Sequence, residues 1–99
     1  MKRLVLTEVA HADLASIRRY SMRIWGQDQT SNYMEALRET MKGLLRGTVV
    51  MRARDDLRVG IQMATSGRHG IFFEANDSRI LVVRVPPRQD GLPPPPGHP

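Results

Sequence analysis

The chain has 99 residues and a composition, 40% hydrophobic and 25% charged, that fits one small globular domain. It contains no cysteine, which excludes disulfide scaffolds, thiol catalysis and zinc–thiolate sites, and no apolar run that approaches the ~20 residues of a transmembrane helix or the core of a secretory signal. Fifteen Lys and Arg residues against ten Asp and Glu residues give a formal net charge of +5, and all the basic residues except Lys2 and Lys42 are arginine.

The first half of the chain has the pattern of one strand followed by two helices. Alternating residues predict a short strand that ends at Thr7, whose side chain suits the cap of a following helix. Apolar residues at helical spacing predict that helix over about residues 9–25 and, after a break at Gly26, a second helix that begins near Asp28 and ends at Gly47. Because the connection is so short, we expect the two helices to form an antiparallel hairpin.

The second half changes to the period of two that is typical of strands. After a loop over residues 47–56, one strand is predicted from four apolar side chains that alternate along the chain: Leu57, Val59, Ile61 and Met63. Turn residues then separate two more strands, over residues 70–75 and 80–85. We therefore expect an α+β domain of order β-α-α-β-β-β, in which the helical hairpin packs on one face of a small antiparallel sheet.

Proline marks the end of this domain. All seven prolines lie within residues 86–99, and Pro86 and Pro87 lack the N–H group that a strand needs, so the last strand must stop there. We assign residues 1–85 to a single domain and residues 86–99 to a proline-rich tail. The run of four prolines in the tail favours polyproline II, a ligand for an aromatic groove, although a disordered chain end is the simpler interpretation.

The sequence has no arrangement typical of catalysis or of metal binding. Its three histidines lie at spacings that do not suit a shared metal ion, and no Walker or dinucleotide-binding glycine pattern is present. Ser66 lies three residues before His69, but no acidic residue is placed to orient this histidine for nucleophilic catalysis. Four acidic residues are expected on helix surfaces: Glu8, Asp13, Glu35 and Glu39. We therefore expect no catalytic residue, no metal and no cofactor.

Arginine is concentrated around the predicted sheet. Six arginines belong to this group: Arg52, Arg54, Arg58, Arg68, Arg84 and Arg88. Arg58 and Arg84 are expected on one sheet face, where two guanidinium groups suit a groove for a polyanion or an acidic peptide. The alternative is an ordinary solvated rim whose charge is largely neutralised by Asp55 and Asp56.

The aromatic residues divide between core and surface. Phe72 and Phe73 are adjacent in a predicted strand, so their side chains must point to opposite faces and one of them needs cover from another element or another protein. Tyr20, Trp25 and Tyr33 most simply seal the helical hairpin against the sheet, and an edge that faces a partner is the alternative.

Five segments, in order and at the expected spacing, resemble the ParE branch of the RelE/ParE toxin superfamily. They are LTEVAHADLASI (6–17), WGQDQTSNYMEAL (25–37), DDLRVGI (55–61), GRHGIFF (67–73) and ILVVRV (80–85). The resemblance implies a helical hairpin on an antiparallel sheet, the same fold as the one expected above. It also implies a toxin of a type II toxin–antitoxin system, of the kind linked to plasmid stabilisation, that inhibits DNA gyrase by binding rather than by catalysis.

The resemblance further implies partners, location and contact residues. A ParD-like antitoxin is expected to neutralise the toxin in a hetero-oligomer by wrapping its surface, in the cytoplasm, with operator DNA contacted only through that complex and without membrane contact. Antitoxin contacts are expected at Arg19, Arg23, Trp25, Phe72 and Arg84. Contacts with the target are expected at Arg58, Arg68, His69 and Arg88.

Two departures from the family pattern leave alternatives open. Gln62 stands where the family usually has arginine, and Pro86 and Pro87 stand where its last strand usually continues with Leu-His. Because the family's C-terminus is implicated in toxicity, one alternative is a non-toxic relic that still binds the antitoxin. The other is a ribosome-dependent mRNA endonuclease like the sister RelE branch, which is less favoured because no Tyr or His follows Phe73 before His98.

Overall fold

The computed structural model describes residues 2–67 and 69–86, which form two helices and five strands. The elements are, in chain order, β1 (Arg3–Leu6), α1 (Glu8–Trp25), α2 (Gln27–Arg46), β2 (Arg52–Ala53), β3 (Gln62–Ser66), β4 (His69–Ala75) and β5 (Arg79–Arg84). The predicted α+β class and the order β-α-α-β-β-β are confirmed, with the two-residue β2 as an addition within the predicted loop. The expectations for the tail after Pro86 lie outside the described residues.

The strands form one sheet of order β1-β5-β4-β3-β2. Strand β1 runs parallel to β5, with Leu4 opposite Ile80 and Leu6 opposite Val82, whereas the other three strand pairs are antiparallel. The sheet is therefore mixed rather than wholly antiparallel. Alternation along β1 did not indicate its partner, because a period of two is the same in parallel and antiparallel strands.

Local sequence sets the ends of both helices. Thr7 caps α1, since its Oγ1 accepts a hydrogen bond from the Ala10 N–H at 3.0 Å. Gly26, with a φ of 84°, separates α1 from α2, and Gly47 ends α2 in the left-handed conformation with a φ of 70°. The predicted cap, break and stop are confirmed.

The hairpin of α1 and α2 packs on one face of the sheet, where the core lies. Fully buried side chains on this face include Leu37 from α2, Ile71 and Phe73 from β4, and Val82 from β5. Residues paired across a sheet share a face, so the register places the alternate residues of these strands together on the other side of the sheet. We call that side the open face, and its central residues are Val5, Met63, Phe72, Glu74 and Leu81.

The strand predicted from residue 57 onward begins only at Gln62, so the prediction for residues 57–61 is wrong. Leu57 and Val59 are 56% and 86% exposed. This segment folds back on itself, because the Ile61 N–H donates to the Arg58 carbonyl at 3.1 Å and the Arg54 N–H donates to the Ile61 carbonyl at 2.8 Å. We call residues 54–61 the 54–61 loop.

Candidate functional site

A groove of about 460 Å³ lies at one end of the open face, between the start of α1, the 54–61 loop and the end of β5. Its apolar wall is formed by Val9, Leu57, Ile61, Phe72 and Val83. Two arginines, Arg58 and Arg84, also line it. Arg58 was expected beside Arg84 on one sheet face; the two arginines do line one groove, but Arg58 comes from the 54–61 loop and not from a strand.

Phe72 occupies the open face because its neighbour Phe73 fills the core. Phe73 is fully buried and Phe72 is half-buried, as predicted from their adjacency. The guanidinium carbon of Arg54 lies 5.8 Å from the centre of the Phe72 ring, and Arg54 also contacts the Met63 sulfur at 3.5 Å. Arg54 therefore covers part of the Phe72 ring, and the rest of the ring lines the groove.

Arg54 is held by an acidic neighbour. Its Nε and Nη2 donate to the two carboxylate oxygens of Asp56, each at 2.9 Å. These hydrogen bonds lower the pKa of Asp56 below its usual value and raise the pKa of Arg54. Asp55, in contrast, accepts a hydrogen bond from the Gly60 N–H at 3.3 Å. Of the two acids expected to neutralise the arginines, Asp56 does so and Asp55 instead closes the 54–61 loop.

Arg58 reaches across the open face from the 54–61 loop to Glu74 of β4. The two side chains form a salt bridge, with 61% of the Arg58 side chain and 43% of the Glu74 side chain exposed. An ion pair this exposed contributes little to stability, since water screens both charges. Arg58 therefore remains available to an incoming acidic group.

Arg84, in contrast, is anchored to the helical layer by Asp13 of α1. Arg84 Nε donates to Asp13 Oδ2 at 2.8 Å and Arg84 Nη2 donates to Asp13 Oδ1 at 3.0 Å, while Oδ2 also accepts the Val85 N–H at 2.9 Å. The hydrogen bonds to Asp13 raise the pKa of Arg84 above its usual value, so the arginine stays charged.

Asp13 corrects one expectation, because it was assigned to the helix surface and is only 6% exposed. The signal for its burial was present in the sequence. Asp13 lies three residues after Ala10 and four before Ile17, so it shares the buried face of α1, where a carboxylate needs a partner.

The remaining residues expected to contact the antitoxin lie elsewhere. Arg19 and Arg23 are exposed on the second half of α1, and the Arg23 guanidinium lies 5.8 Å from the centre of the Tyr20 ring. Arg19 lies ten positions after Val9 of the groove, which is about 15 Å along the helix axis. Trp25 is partly buried against the core, edge-on to Tyr33 at 5.8 Å between ring centres, which fits its expected sealing of the hairpin.

His69 does not lie on the surface where target contact was expected. It is 3% exposed on the helix-covered face, and its Nδ1 is hydrogen bonded to Tyr33 Oη, with 5.4 Å between the ring centres. We therefore remove His69 from the residues expected to touch a target directly. Arg68 and Arg88, from the same expected set, lie outside the described residues.

Neither a metal-binding cluster nor a membrane-spanning helix is present in the part of the chain that the structure describes. Residues 2–67 and 69–86 contain no group of three or more acidic, histidine or cysteine side chains arranged to hold a metal ion. None of the helices described is long and apolar enough to cross a membrane.

The chain is similar to known toxins along most of its length. The family model described as the ParE toxin of the type II toxin–antitoxin system parDE matches residues 4–91. The chain is 31% identical over 85 residues to Toxin ParE1 of Caulobacter vibrioides, covering 86% of this chain and 88% of that protein. It is 29% identical over 92 residues to Toxin ParE of Escherichia coli, covering 91% of this chain and 89% of that protein.

A solved structure shares the fold. The chain superposes with a TM-score of 0.73 on a chain of the chromosomal ParDE toxin–antitoxin system from P. aeruginosa, at 20% sequence identity. The match covers 90% of this chain and 98% of the other. The arrangement of the helical hairpin and sheet is therefore common to both proteins.

Proposed function

The chain belongs to the ParE toxin family of type II toxin–antitoxin systems, and we propose that it inhibits DNA gyrase by binding and is neutralised by a ParD-like antitoxin. In this proposal the toxin acts in the cytoplasm, and the antitoxin binds it in a hetero-oligomer that alone contacts operator DNA. The open-face groove is the surface through which the toxin is controlled.

The observation that carries this proposal is the composition of the groove. Arg58, expected to contact the target, lines the same groove as Phe72 and Arg84, which are expected to contact the antitoxin. One surface cannot hold two partners at once, so an antitoxin bound there displaces or excludes the target. Neutralisation then needs no change in the shape of the toxin.

The groove also suits a particular partner chemistry. Its apolar wall gains from burial of aliphatic or aromatic side chains, while Arg58 and Arg84 favour carboxylates beside them. A segment that combines acidic and apolar residues satisfies both requirements.

Binding rather than catalysis is supported by the polar groups that line the groove. Among the residues that the structure describes, these are the side chains of Thr7, Arg58 and Arg84. Arginine stays protonated at neutral pH and cannot act as a general base, which cleavage at a 2′-hydroxyl requires. His69 is buried on the opposite face of the sheet.

The test is gyrase supercoiling with the purified chain, scored for trapped cleaved DNA, with and without a ParD-like antitoxin; the candidate antitoxin is the product of a short reading frame adjacent to that of the toxin. We expect cleaved DNA that disappears when that partner is added in equimolar amount. No cleavage at saturating toxin contradicts the gyrase assignment, and cleavage of ribosome-bound mRNA in the same preparation identifies the endonuclease alternative instead.

A matched pair of variants connects the activity to the groove. Arg58→Gln and Arg38→Gln each remove one arginine that is salt-bridged to a glutamate, with 61% and 62% of the arginine side chain exposed. Only Arg58 lines the groove, since Arg38 lies on the outer surface of α2. Loss of cleavage in Arg58→Gln with full cleavage in Arg38→Gln supports the groove, and equal activity of the two variants contradicts it.

A further inference from the structure

Arg84 lines the groove, and its partner Asp13 lies behind it, so the two side chains differ sharply in exposure. The Asp13 side chain is 8% exposed, whereas that of Arg84 is 49% exposed. Asp13 occupies one edge of the guanidinium group, through Nε and Nη2. Within residues 2–67 and 69–86, Nη1 makes no hydrogen bond, so the second edge of the group, formed by Nη1 and Nη2, is left unoccupied.

The backbone around Arg84 is fixed on both sides. The Val85 N–H donates to Asp13, and the Val83 carbonyl accepts a hydrogen bond from the Thr7 hydroxyl at 2.9 Å. Thr7 and Asp13 both belong to the start of the α1 layer, which therefore holds the end of β5 at three successive residues. Arg84 cannot turn away from the groove without breaking its contact with Asp13.

We propose that Asp13 is a positioning residue that presets Arg84 as the receptor for a carboxylate of the antitoxin. A guanidinium group can hold a carboxylate on either of two edges. Because Asp13 takes the inner edge, an incoming carboxylate binds at the outer one, next to the apolar wall of Val9 and Phe72. This inference rests on the proposed role of the groove in antitoxin binding.

Presetting explains how an arginine that already has a partner still contributes to binding. An unrestrained arginine loses rotamer freedom when it binds, and that loss weakens association. Here the loss has occurred on folding, before the antitoxin arrives. The neighbouring Arg58 is held only by an exposed salt bridge to Glu74, so it adds a second cation that an incoming carboxylate can engage.

The test is a double-mutant cycle on the dissociation constant of the complex with the antitoxin encoded by the adjacent reading frame. We expect Asp13→Asn and Arg84→Gln each to weaken binding by about tenfold. The double variant is expected to bind no more weakly than Arg84→Gln alone, because Asp13 acts through Arg84. If the two effects multiply instead, Asp13 acts separately and the inference is wrong.

Two further measurements separate positioning from a purely structural role. In a ¹H–¹⁵N spectrum, the Nε–H proton of Arg84 is expected to exchange slowly with water in the wild-type chain and faster in the folded Asp13→Asn variant. Arg84→Lys keeps the positive charge but lacks the planar guanidinium group, which can bind a carboxylate on each of two edges, so this variant is expected to bind the antitoxin about tenfold more weakly. It also provides the test if Asp13→Asn does not fold. Unchanged binding by Arg84→Lys overturns the proposed carboxylate receptor.

The controls distinguish this inference from the proposed function. Glu35→Gln removes a carboxylate that is paired with Arg38 on the exposed side of α2, and it is expected to leave the dissociation constant unchanged. If Phe72→Ala leaves the dissociation constant unchanged, the groove is not the antitoxin site, and this inference falls together with that assignment of the groove, whereas inhibition of gyrase is decided by the supercoiling test. If Phe72→Ala weakens binding and Asp13→Asn does not, only the role of Asp13 is wrong.

The antitoxin residue that contacts Arg84 is identified by a second set of double-mutant cycles. Each Asp or Glu of the antitoxin is changed to its amide, and binding is measured with the wild-type chain and with Arg84→Gln. One substitution is expected to weaken binding of the wild-type chain about tenfold and to have little effect with Arg84→Gln. If none behaves in this way, Arg84 does not bind an antitoxin carboxylate.

Discussion

Phe72 and Phe73 are neighbours in β4 but belong to different parts of the molecule, the first half-buried on the open face and the second fully buried beneath the helices. The strand period of two makes this division unavoidable. Phe73 contributes to the core and Phe72 to the groove. Substitution of Phe73 is therefore expected to affect mainly stability, and substitution of Phe72 mainly binding.

Phe73→Ala is expected to lower the free energy of unfolding by about 3–5 kcal/mol, because it removes a fully buried ring and leaves a cavity. Phe72→Ala is expected to cost less than half of that, since its ring is already partly hydrated, and to weaken binding of the antitoxin instead. Urea unfolding of both variants, together with binding of the folded Phe72→Ala variant, checks the difference. Equal destabilisation by the two variants contradicts the division between core and groove.

Thr30→Val is expected to stabilise the protein by about 1 kcal/mol. Thr30 is fully buried in α2, and its hydroxyl oxygen has no hydrogen-bond partner among the described residues. Valine has nearly the same shape, so the substitution removes a buried unsatisfied polar group without opening a cavity. Thr40→Val is the control, because the Thr40 hydroxyl donates to the Ala36 carbonyl at 3.1 Å. Urea unfolding is expected to show a gain only for Thr30→Val.

The sequence allowed most of the local structure to be predicted, because the responsible signals are local. Thr7, Gly26 and Gly47 act on their own segments, and each has the predicted effect. The strand predicted over residues 57–61 failed because turn hydrogen bonds and the positive φ of Gly60 outweigh the alternation of Leu57 and Val59. Alternation is a weak signal when it rests on so few residues.

The groove could be predicted only in part, because it is assembled from distant segments. Arg58 and Arg84 were expected to share a sheet face, and they line one groove because the 54–61 loop, rather than a strand, carries Arg58 to the end of β5. The anchoring of Arg84 by Asp13 joins residues 71 positions apart, and no local pattern encodes that distance. The burial of His69 depends likewise on a contact with Tyr33 of the other layer.

Gly43→Ala is expected to destabilise the protein by about 1–2 kcal/mol, although alanine is the better helix former. A Cβ added at Gly43 would lie 2.7 Å from Val49 Cγ1, and Val49 is packed against the core and has a stiff, branched side chain. Val49→Ala in the same chain is expected to relieve the conflict. If Gly43→Ala raises the urea midpoint, Val49 moves aside more easily than its packing implies.

The Asp56 carboxylate, which is hydrogen bonded to Arg54, is expected to take up its proton only in acid. Its hydrogen bonds lower the folded-state pKa of Asp56, so the associated stability is complete above the unfolded pKa and is lost as the pH falls through the lower, folded value. The ¹³C chemical shift of the Asp56 carboxyl, followed with pH, is expected to show this low pKa. In Arg54→Gln the pKa is expected to rise toward the ordinary value, and an unchanged pKa contradicts the assigned cause.

Because residues from both expected contact sets line one groove, the antitoxin and gyrase are expected to compete for the toxin. Arg58→Gln is expected to weaken binding to both gyrase and the antitoxin, because Arg58 lies in the shared groove, whereas Arg19→Gln on α1 is expected to weaken only antitoxin binding. The measurement is displacement of the toxin from gyrase by increasing antitoxin, for each variant. A ternary complex of gyrase, toxin and antitoxin, seen by light scattering, contradicts competition for one groove, since both partners then occupy the toxin together.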